Sequence, residues 1–476
     1  MVEKKIYPKD RALQNFDDFY GNVYGNRWKS MRIALLCEHK YIAMVNNFGD
    51  TDKTVNSLEA DGAINLKAIY DIGKENLEIS NKGQYANDNI KNVDNKIDRF
   101  IDSKRNSERD SLFSDETRMD SVPDQLKTKE ETSNKDLLQA ISDYKKPLDQ
   151  VLQEDSDIDY RRIIDPAHGT SGLYEFVPAT KIKGMEDWVF ESDHYRYYSN
   201  TMDFPLKIEM ELDFQFPSSL QLFTYEKGNV SDFRSPKKTD TGVLSHFLMD
   251  GSSVLPPLAL NLQPGDRVLD ACAAPGGKSL LMLQTLYPKL VVCNDIQESR
   301  VNRIRKIMDQ YIYDFGENVD KHRCIITCQD ARTISEYGEY DKILVDVPCT
   351  TDRHVVKEND NNIFKPTRVK ERLRIPELQA AILTNSIRLL RPGGSLVYST
   401  CSLSPVQNDG VVHMALANVF KEHGITVTIK DLSLAMQPFD CIFKFENPKG
   451  LKYGQLVTPF LPANFGPMYF CKITRN

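Results

Sequence analysis

From about residue 240 onward, short apolar runs alternate with helix-like stretches, and this alternation confines the chain to few folds. Strand-like runs occur at 267–270, 290–295, 324–327, 342–347 and 396–399, with helical patterns at 278–286, 300–311, 371–390 and 406–420. The alternation predicts an α/β fold built on a doubly wound, mostly parallel sheet. Later runs at 426–429, 441–445 and 468–473 are expected to add antiparallel edges. In such a sheet, ligands bind outside the carboxyl ends of the strands.

The preceding half is less regular. Residues 1–70 carry an aromatic and aliphatic stretch (Tyr20, Tyr24, Trp28, Met31, Leu35) of mostly helical spacing, which predicts an N-terminal helical region. Residues 71–165 are rich in Asn, Asp, Ser, Lys and Glu and nearly free of aromatics. They hold 16 Lys+Arg against 23 Asp+Glu, so the net charge of −7 lies there and the remainder of the chain is neutral. That composition buries too little apolar surface to offset chain entropy and reads as an acidic, disordered insertion. Residues 166–240 regain aromatics and read as an extension packing on a catalytic domain at 241–476. With the remainder neutral, bulk charge does not exclude an RNA substrate.

No apolar run approaches the roughly 18–20 residues that cross a bilayer. The opening residues show neither a signal core nor an Arg- and Ser-rich, acid-poor transit pattern. Nine scattered cysteines do not form a disulfide framework and point to a reducing compartment. Cys324 and Cys328 sit in a strand-like run with no second ligand pair, so no metal is expected.

The first strand of the series runs into Asp270-Ala-Cys-Ala-Ala-Pro-Gly-Gly-Lys278-Ser. Small residues and glycines at a strand-to-helix turn admit a ligand close to backbone. The glycine spacing matches neither the dinucleotide nor the ATP-loop pattern. It suits a ligand with a carboxylate and no phosphate chain, such as S-adenosylmethionine, whose carboxylate would face the helix N-terminus. Asp295 closes the second strand, where a ribose diol is held in sheets of this kind. Gln329-Asp330-Ala331 closes the third, placed for an adenine edge, and Asp346 closes the fourth. Each Asp alone reads equally well as a cap for the following helix, but four acids after four strands favour a site.

Two cysteines close two further strands, in Asp346-Val-Pro-Cys349 and Ser399-Thr-Cys401-Ser. Either alone is more often packing than chemistry, because free cysteine is among the most buried residue types. Together they suit methylation of carbon 5 of a pyrimidine, a poor nucleophile until a thiolate adds at carbon 6. The adduct must then lose its carbon-5 proton, and a second thiol would serve as the base. Such thiols need a lowered pKa, which Lys278 or a helix N-terminus is expected to supply.

The glycine turn ending in Lys278, Asp346-Val-Pro-Cys349 and Ser399-Thr-Cys401-Ser, in this order, resemble the Nop2/Sun (NSUN) family of RNA cytosine-5 methyltransferases. The resemblance covers residues 10–60 and 215–476. Val347–His354, Asn464–Phe470 and the early Leu35-Leu-Cys-Glu-His-Lys-Tyr look closest to the family's mitochondrial ribosomal-RNA member. The resemblance implies a class I, Rossmann-like methyltransferase domain with a mostly parallel seven-stranded sheet. It implies Cys401 as nucleophile, Cys349 as the base that releases product, and Lys278 and Asp346 as residues holding a flipped cytosine. It places S-adenosylmethionine on Gly276, Gly277, Lys278, Asp295, Arg300, Asp330, Ala331 and Asp346. It further implies a mitochondrial location, a role in ribosome assembly, and a helical-repeat targeting partner of the mitochondrial termination-factor type.

Lys365, Arg368, Lys370 and Arg372 form a basic stretch after the Cys349 strand, and Arg300, Arg303, Arg305 and Lys306 form a second cluster. Both are candidates for phosphate contact, against a solvated helix face as the plainer reading. A non-catalytic assembly protein is disfavoured because it needs neither thiol. An amino-group methyltransferase is disfavoured because its Asp/Asn-Pro-Pro-Tyr pattern is replaced here by Asp346-Val-Pro-Cys349.

Overall fold

The run Arg267–Asp270 is an inner strand of the main sheet in the computed structural model, which describes residues 7–81, 204–213, 215–315, 323–446 and 451–476. These all lie within one compact unit. In chain order the strands are β1 (Tyr41–Val45), β2 (Ile64–Asn65), β3 (Lys207–Met210), β4 (Leu222–Thr224), β5 (His246–Asp250), β6 (Arg267–Asp270), β7 (Leu290–Asn294), β8 (Cys324–Thr327), β9 (Tyr340–Asp346), β10 (Leu390–Thr400), β11 (Val427–Asp431), β12 (Phe445–Glu446), β13 (Gln455–Val457) and β14 (Met468–Arg475).

The main sheet runs β8-β7-β6-β9-β10-β14, with β11 on the far side of β14. The first five are parallel, and β14 lies antiparallel between β10 and β11. This seven-stranded order, reversing between β6 and β9, is the class I methyltransferase sheet expected from the sequence. Three short strands extend it: β3 joins β11 in parallel, and the β12–β13 hairpin pairs with the first half of β14. The central strands are continuous apolar runs, as in Val268–Leu269, Ile343–Val345 and Leu396–Tyr398, because helices cover both faces.

Three expected elements differ. The helix at 371–390 is two helices, Val369–Leu373 and Ile375–Leu389, since Pro376 has no N–H to continue the ladder. The 406–420 helix begins as a π-turn, Val406–Gly410, before Val411–His423. Residues 441–444 form a turn, because the amides of Ile442 and Phe443 both bond to the Phe439 carbonyl; only Phe445–Glu446 is strand.

The N-terminal region is helical only in part. Pro8–Tyr24 buries Ala12, Phe16, Tyr20 and Tyr24, a stripe of spacing four, with Phe16 edge-on to Phe364 at 5.4 Å. Yet β1 and β2 join β4 and β5 in a second, antiparallel sheet of order β2-β4-β1-β5. Residues 204–240 thus contribute β3 to one sheet and β4 to the other. Regular structure also runs past residue 70: the helix Leu66–Asn81 continues because Gly73 lies against Pro438, where an added Cβ would come within 2.5 Å of the proline carbonyl. The rest of the expected disordered insertion (82–165), and 166–203, lie outside the described residues. Among the described residues, no helix is long and apolar enough to cross a membrane.

Candidate active site

The crevice lies where β6 and β9 diverge, at the carboxyl ends of the parallel strands. Cys349 follows β9 and Cys401 follows β10. The pairing Ser399↔Asp346 sets these strands in register, so the residues just beyond each end come side by side. The two sulfurs are 2.9 Å apart, and neither is in a disulfide. Beside them Lys278 Nζ donates to Asp346 Oδ2 at 2.7 Å, and Ser399 Oγ donates to Asp346 Oδ1 at 2.7 Å. The carboxylate is therefore fixed from two sides.

The expected lowering of the thiol pKa does not occur at Cys401. Its hydrogen bond with Cys349 is the largest cause, followed by burial, and together they push the thiol well up; Lys278 opposes this and is outweighed. Burial alone would lower Lys278, but the charge of Asp346 prevails and its pKa is raised.

The cofactor candidates line the neighbouring half of the crevice. Gly276 has φ +117°, a left-handed conformation that glycine adopts without strain, and its missing side chain faces Ile304. At Gly277 a Cβ would come within 2.9 Å of Phe247, so the helix Gly277–Gln284 starts where only glycine fits. Buried Asp295 is held by Arg300 at 3.2 Å and by the Ala274 amide at 3.4 Å. Asp330 pairs with Arg332 at 2.6 Å, and the carbonyl of buried Ala331 accepts from Asn385. Asp270 bonds Ser279 at 2.5 Å through one oxygen and leaves the other buried and without a partner. Burial raises its pKa to about 7. A glycine cradle, an oriented acid after the second strand and an orphaned buried oxygen after the first fit a ligand with amino-acid and ribose ends. Among the described residues, no three His, Cys, Asp or Glu side chains cluster to hold a metal.

The basic stretch is not one free cationic face. Arg368 spends its guanidinium on Glu371, at 2.7 and 2.5 Å, and Arg372 lies 4.4 Å above the Phe364 ring with burial lowering its pKa. Lys365 is half-buried and Lys370 exposed. In the second cluster Arg300 serves Asp295, and Arg305 bonds Glu298 and Asn302.

Several residues around the thiols carried no assigned role in the sequence. Ser399 lay inside the recognised motif. Gln379 bonds the Pro348 carbonyl at 2.8 Å, and Gln407 accepts the Thr350 amide at 3.1 Å; both come from distant helical turns. Tyr20, 332 positions before Asp352, bonds its carboxylate at 2.6 Å, a contact no local pattern announces.

Known proteins resemble this chain over much of its length. The family model described as 16S rRNA methyltransferase RsmB/F matches residues 257–439. The 5-cytosine rRNA methyltransferase nsun-4 of Caenorhabditis elegans is 32% identical over 473 residues, covering 98% of this chain and 92% of that protein. The 5-cytosine rRNA methyltransferase NSUN4 of Bos taurus is 44% identical over 260 residues, covering 54% of this chain and 66% of its own. A mitochondrial tRNA (cytosine(34)-C(5))-methyltransferase of Danio rerio is 34% identical over 295 residues, covering 60% and 72%. The chain belongs to the RsmB/F (Nop2/Sun) family of S-adenosylmethionine-dependent RNA cytosine-5 methyltransferases.

Proposed function

We propose that this enzyme methylates carbon 5 of a cytosine in mitochondrial small-subunit ribosomal RNA, through a covalent bond between Cys401 and carbon 6, in support of ribosome assembly. The observation that carries the chemistry is the pair of sulfurs 2.9 Å apart beside the Lys278–Asp346 pair. The target base leaves its stack to reach the crevice. Asp346, fixed by Lys278 and Ser399, holds the ring-nitrogen edge, and Lys278 neutralises charge there. S-adenosylmethionine, held by Gly276, Gly277, Lys278, Asp295, Arg300, Asp330, Ala331 and Asp346, supplies an electrophilic methyl group.

Cys401 Sγ, as thiolate, bonds to carbon 6 and makes carbon 5 nucleophilic toward that methyl group. Once carbon 5 is methylated, Cys349 takes its proton. Cys401 then leaves with the electron pair of the carbon–sulfur bond, and the 5,6 double bond returns. The raised Cys401 pKa means that its proton must leave before attack; if it passes first to the adjacent Cys349, that thiol must hand it on to solvent before it can take the carbon-5 proton.

The named relatives support ribosomal RNA as substrate, and the mitochondrial tRNA enzyme supports the location. A termination-factor-type partner would supply targeting, and Lys365 and Lys370 of the basic stretch are the proposed RNA contacts, Arg368 and Arg372 being engaged by Glu371 and Phe364. The test incubates Cys349→Ala and Cys401→Ala with S-adenosylmethionine and either small-subunit rRNA or mitochondrial tRNA. Cys349→Ala should accumulate a denaturation-resistant RNA adduct and Cys401→Ala none. Adduct in neither variant defeats the covalent route, the reverse pattern exchanges the two roles, and methylation of tRNA alone reassigns the substrate.

A further inference from the structure

Asp352 lies three residues past Cys349 and is wholly buried. Its Oδ1 accepts from Thr350 Oγ1 at 2.5 Å and from Ser402 Oγ at 3.2 Å. Its Oδ2 accepts from Tyr20 OH at 2.6 Å and from the Leu403 amide at 2.7 Å. Thr350 is the residue after Cys349, while Ser402 and Leu403 are the two after Cys401. One carboxylate therefore grips both thiol loops next to their sulfurs. Thr350 Oγ1 and Ser402 Oγ are also 2.9 Å apart, which closes the ring, and the Asp352 amide bonds the Cys401 carbonyl at 3.3 Å.

Thr351, between the thiol and the carboxylate, has φ +49° and ψ +61°. A β-branched residue avoids this left-handed region, and such strain persists only where the surroundings hold it. The strained turn points the Thr351 amide at Cys349 Sγ, 3.4 Å away. A buried carboxylate is a costly brace, since burial disfavours its charge, and apolar residues could brace two loops more cheaply. What a carboxylate adds is four directed acceptor positions that fix the loops relative to one another.

We propose that Asp352 is a positioning residue for the thiol pair, clamping the Cys349 loop to the Cys401 loop with the Tyr20 hydroxyl as its anchor on the N-terminal helix. The proposal rests on the thiol chemistry above. It predicts that loosening the clamp affects proton removal more than attack, because removal depends on both sulfurs meeting the same base.

Asp352→Asn keeps the shape of the side chain and replaces one acceptor oxygen by a donor; Tyr20→Phe removes a single hydroxyl and keeps the ring. Melting temperature and S-adenosylmethionine affinity serve as folding controls. The first readout needs no RNA: the rate at which diamide, itself reduced to the hydrazine, oxidises Cys349 and Cys401 to a disulfide. Misplacement by about 1 Å should slow this roughly tenfold or more in Asp352→Asn, and severalfold in Tyr20→Phe. The second is the fraction of enzyme caught as covalent RNA adduct during turnover, expected to rise in both variants with the two cysteines intact. Folded variants with wild-type oxidation rate and adduct fraction overturn the proposal. Failure of both to fold overturns it too, since Asp352 is then a structural brace. If wild-type enzyme and Cys349→Ala form no adduct, the covalent reading fails, while the diamide rates still decide the clamp.

Discussion

Replacing Lys278 by methionine keeps much of its side-chain length and removes the ammonium that faces Asp346. The contact is 2.7 Å, and the two side chains are 14% and 27% exposed, so water screens the pair only weakly. In the variant Asp346 keeps the Ser399 hydroxyl, but Asp270 lies near enough for the two acids to repel. Stranding one member of a buried pair costs about 3–5 kcal/mol. The remaining hydroxyl and the residual exposure of Asp346 favour the lower end, about 3 kcal/mol. A base whose folded pKa is raised contributes its stability fully below the unfolded value of about 10.4 and loses it only as pH rises through the folded value. At neutral pH the whole contribution is therefore present. Urea unfolding at pH 7 of Lys278→Met, Asp346→Asn and the double variant measures it. The double variant should be more stable than the sum of the single losses by about 2 kcal/mol. Additivity within about 0.5 kcal/mol, or a wild-type midpoint for Lys278→Met, would refute a coupled buried pair.

Asp270 gives a pH signature of the same sense in a lower pH window. Its folded pKa of about 7 lies above the unfolded value, so the folded state holds a proton that the unfolded chain releases. Stability should fall as pH rises from about 4 to about 7, by on the order of 4 kcal/mol for this group, and level off above. Asp270→Asn should flatten much of that slope in denaturant midpoints taken across the range, leaving smaller contributions of the same sign from acids such as Asp409 and Asp440, each raised to about 6 by burial. An unchanged slope would remove Asp270 from the account. For RNA binding, Lys365→Ala should reduce the slope of log affinity against log salt by about 1. Arg372→Ala should leave that slope alone and lower the melting temperature, because its guanidinium packs on Phe364; fluorescence titration at several salt concentrations separates the two.

Much of the catalytic half was legible because its signals are local. An apolar run of four to seven residues ending in an acid or a cysteine marks both a buried strand and its carboxyl end, so Asp270, Asp346, Cys349 and Cys401 could be placed before any contact was known. The class I sheet was implied by the family resemblance, while the alternation of strands and helices by itself only narrows the possible strand orders. Where local reading failed, a tertiary partner had intervened. The turn at 441–444 is apolar enough for a strand, but Phe439 takes its amides. The helix Leu66–Asn81 runs into polar sequence because Pro438 covers Gly73. Strand β1 lies in a region of helical periodicity and pairs with β4 and β5, whose residues lie about 180 and about 205 positions further along the chain.

The sequence by itself determined the fold class, the glycine turn and the residues able to carry the reaction, because each is a matter of residue type at short spacing. Only the tertiary structure decided how they act together. It brought the sulfurs to 2.9 Å through the register of two parallel strands, and it gave Lys278 to Asp346 across a crevice. It also pushed the Cys401 pKa up where the sequence predicted an easily ionised thiol, since a neighbouring sulfur and burial outweigh a nearby ammonium. Those quantities depend on distance and solvent exclusion between segments far apart in the chain, and no local pattern encodes them.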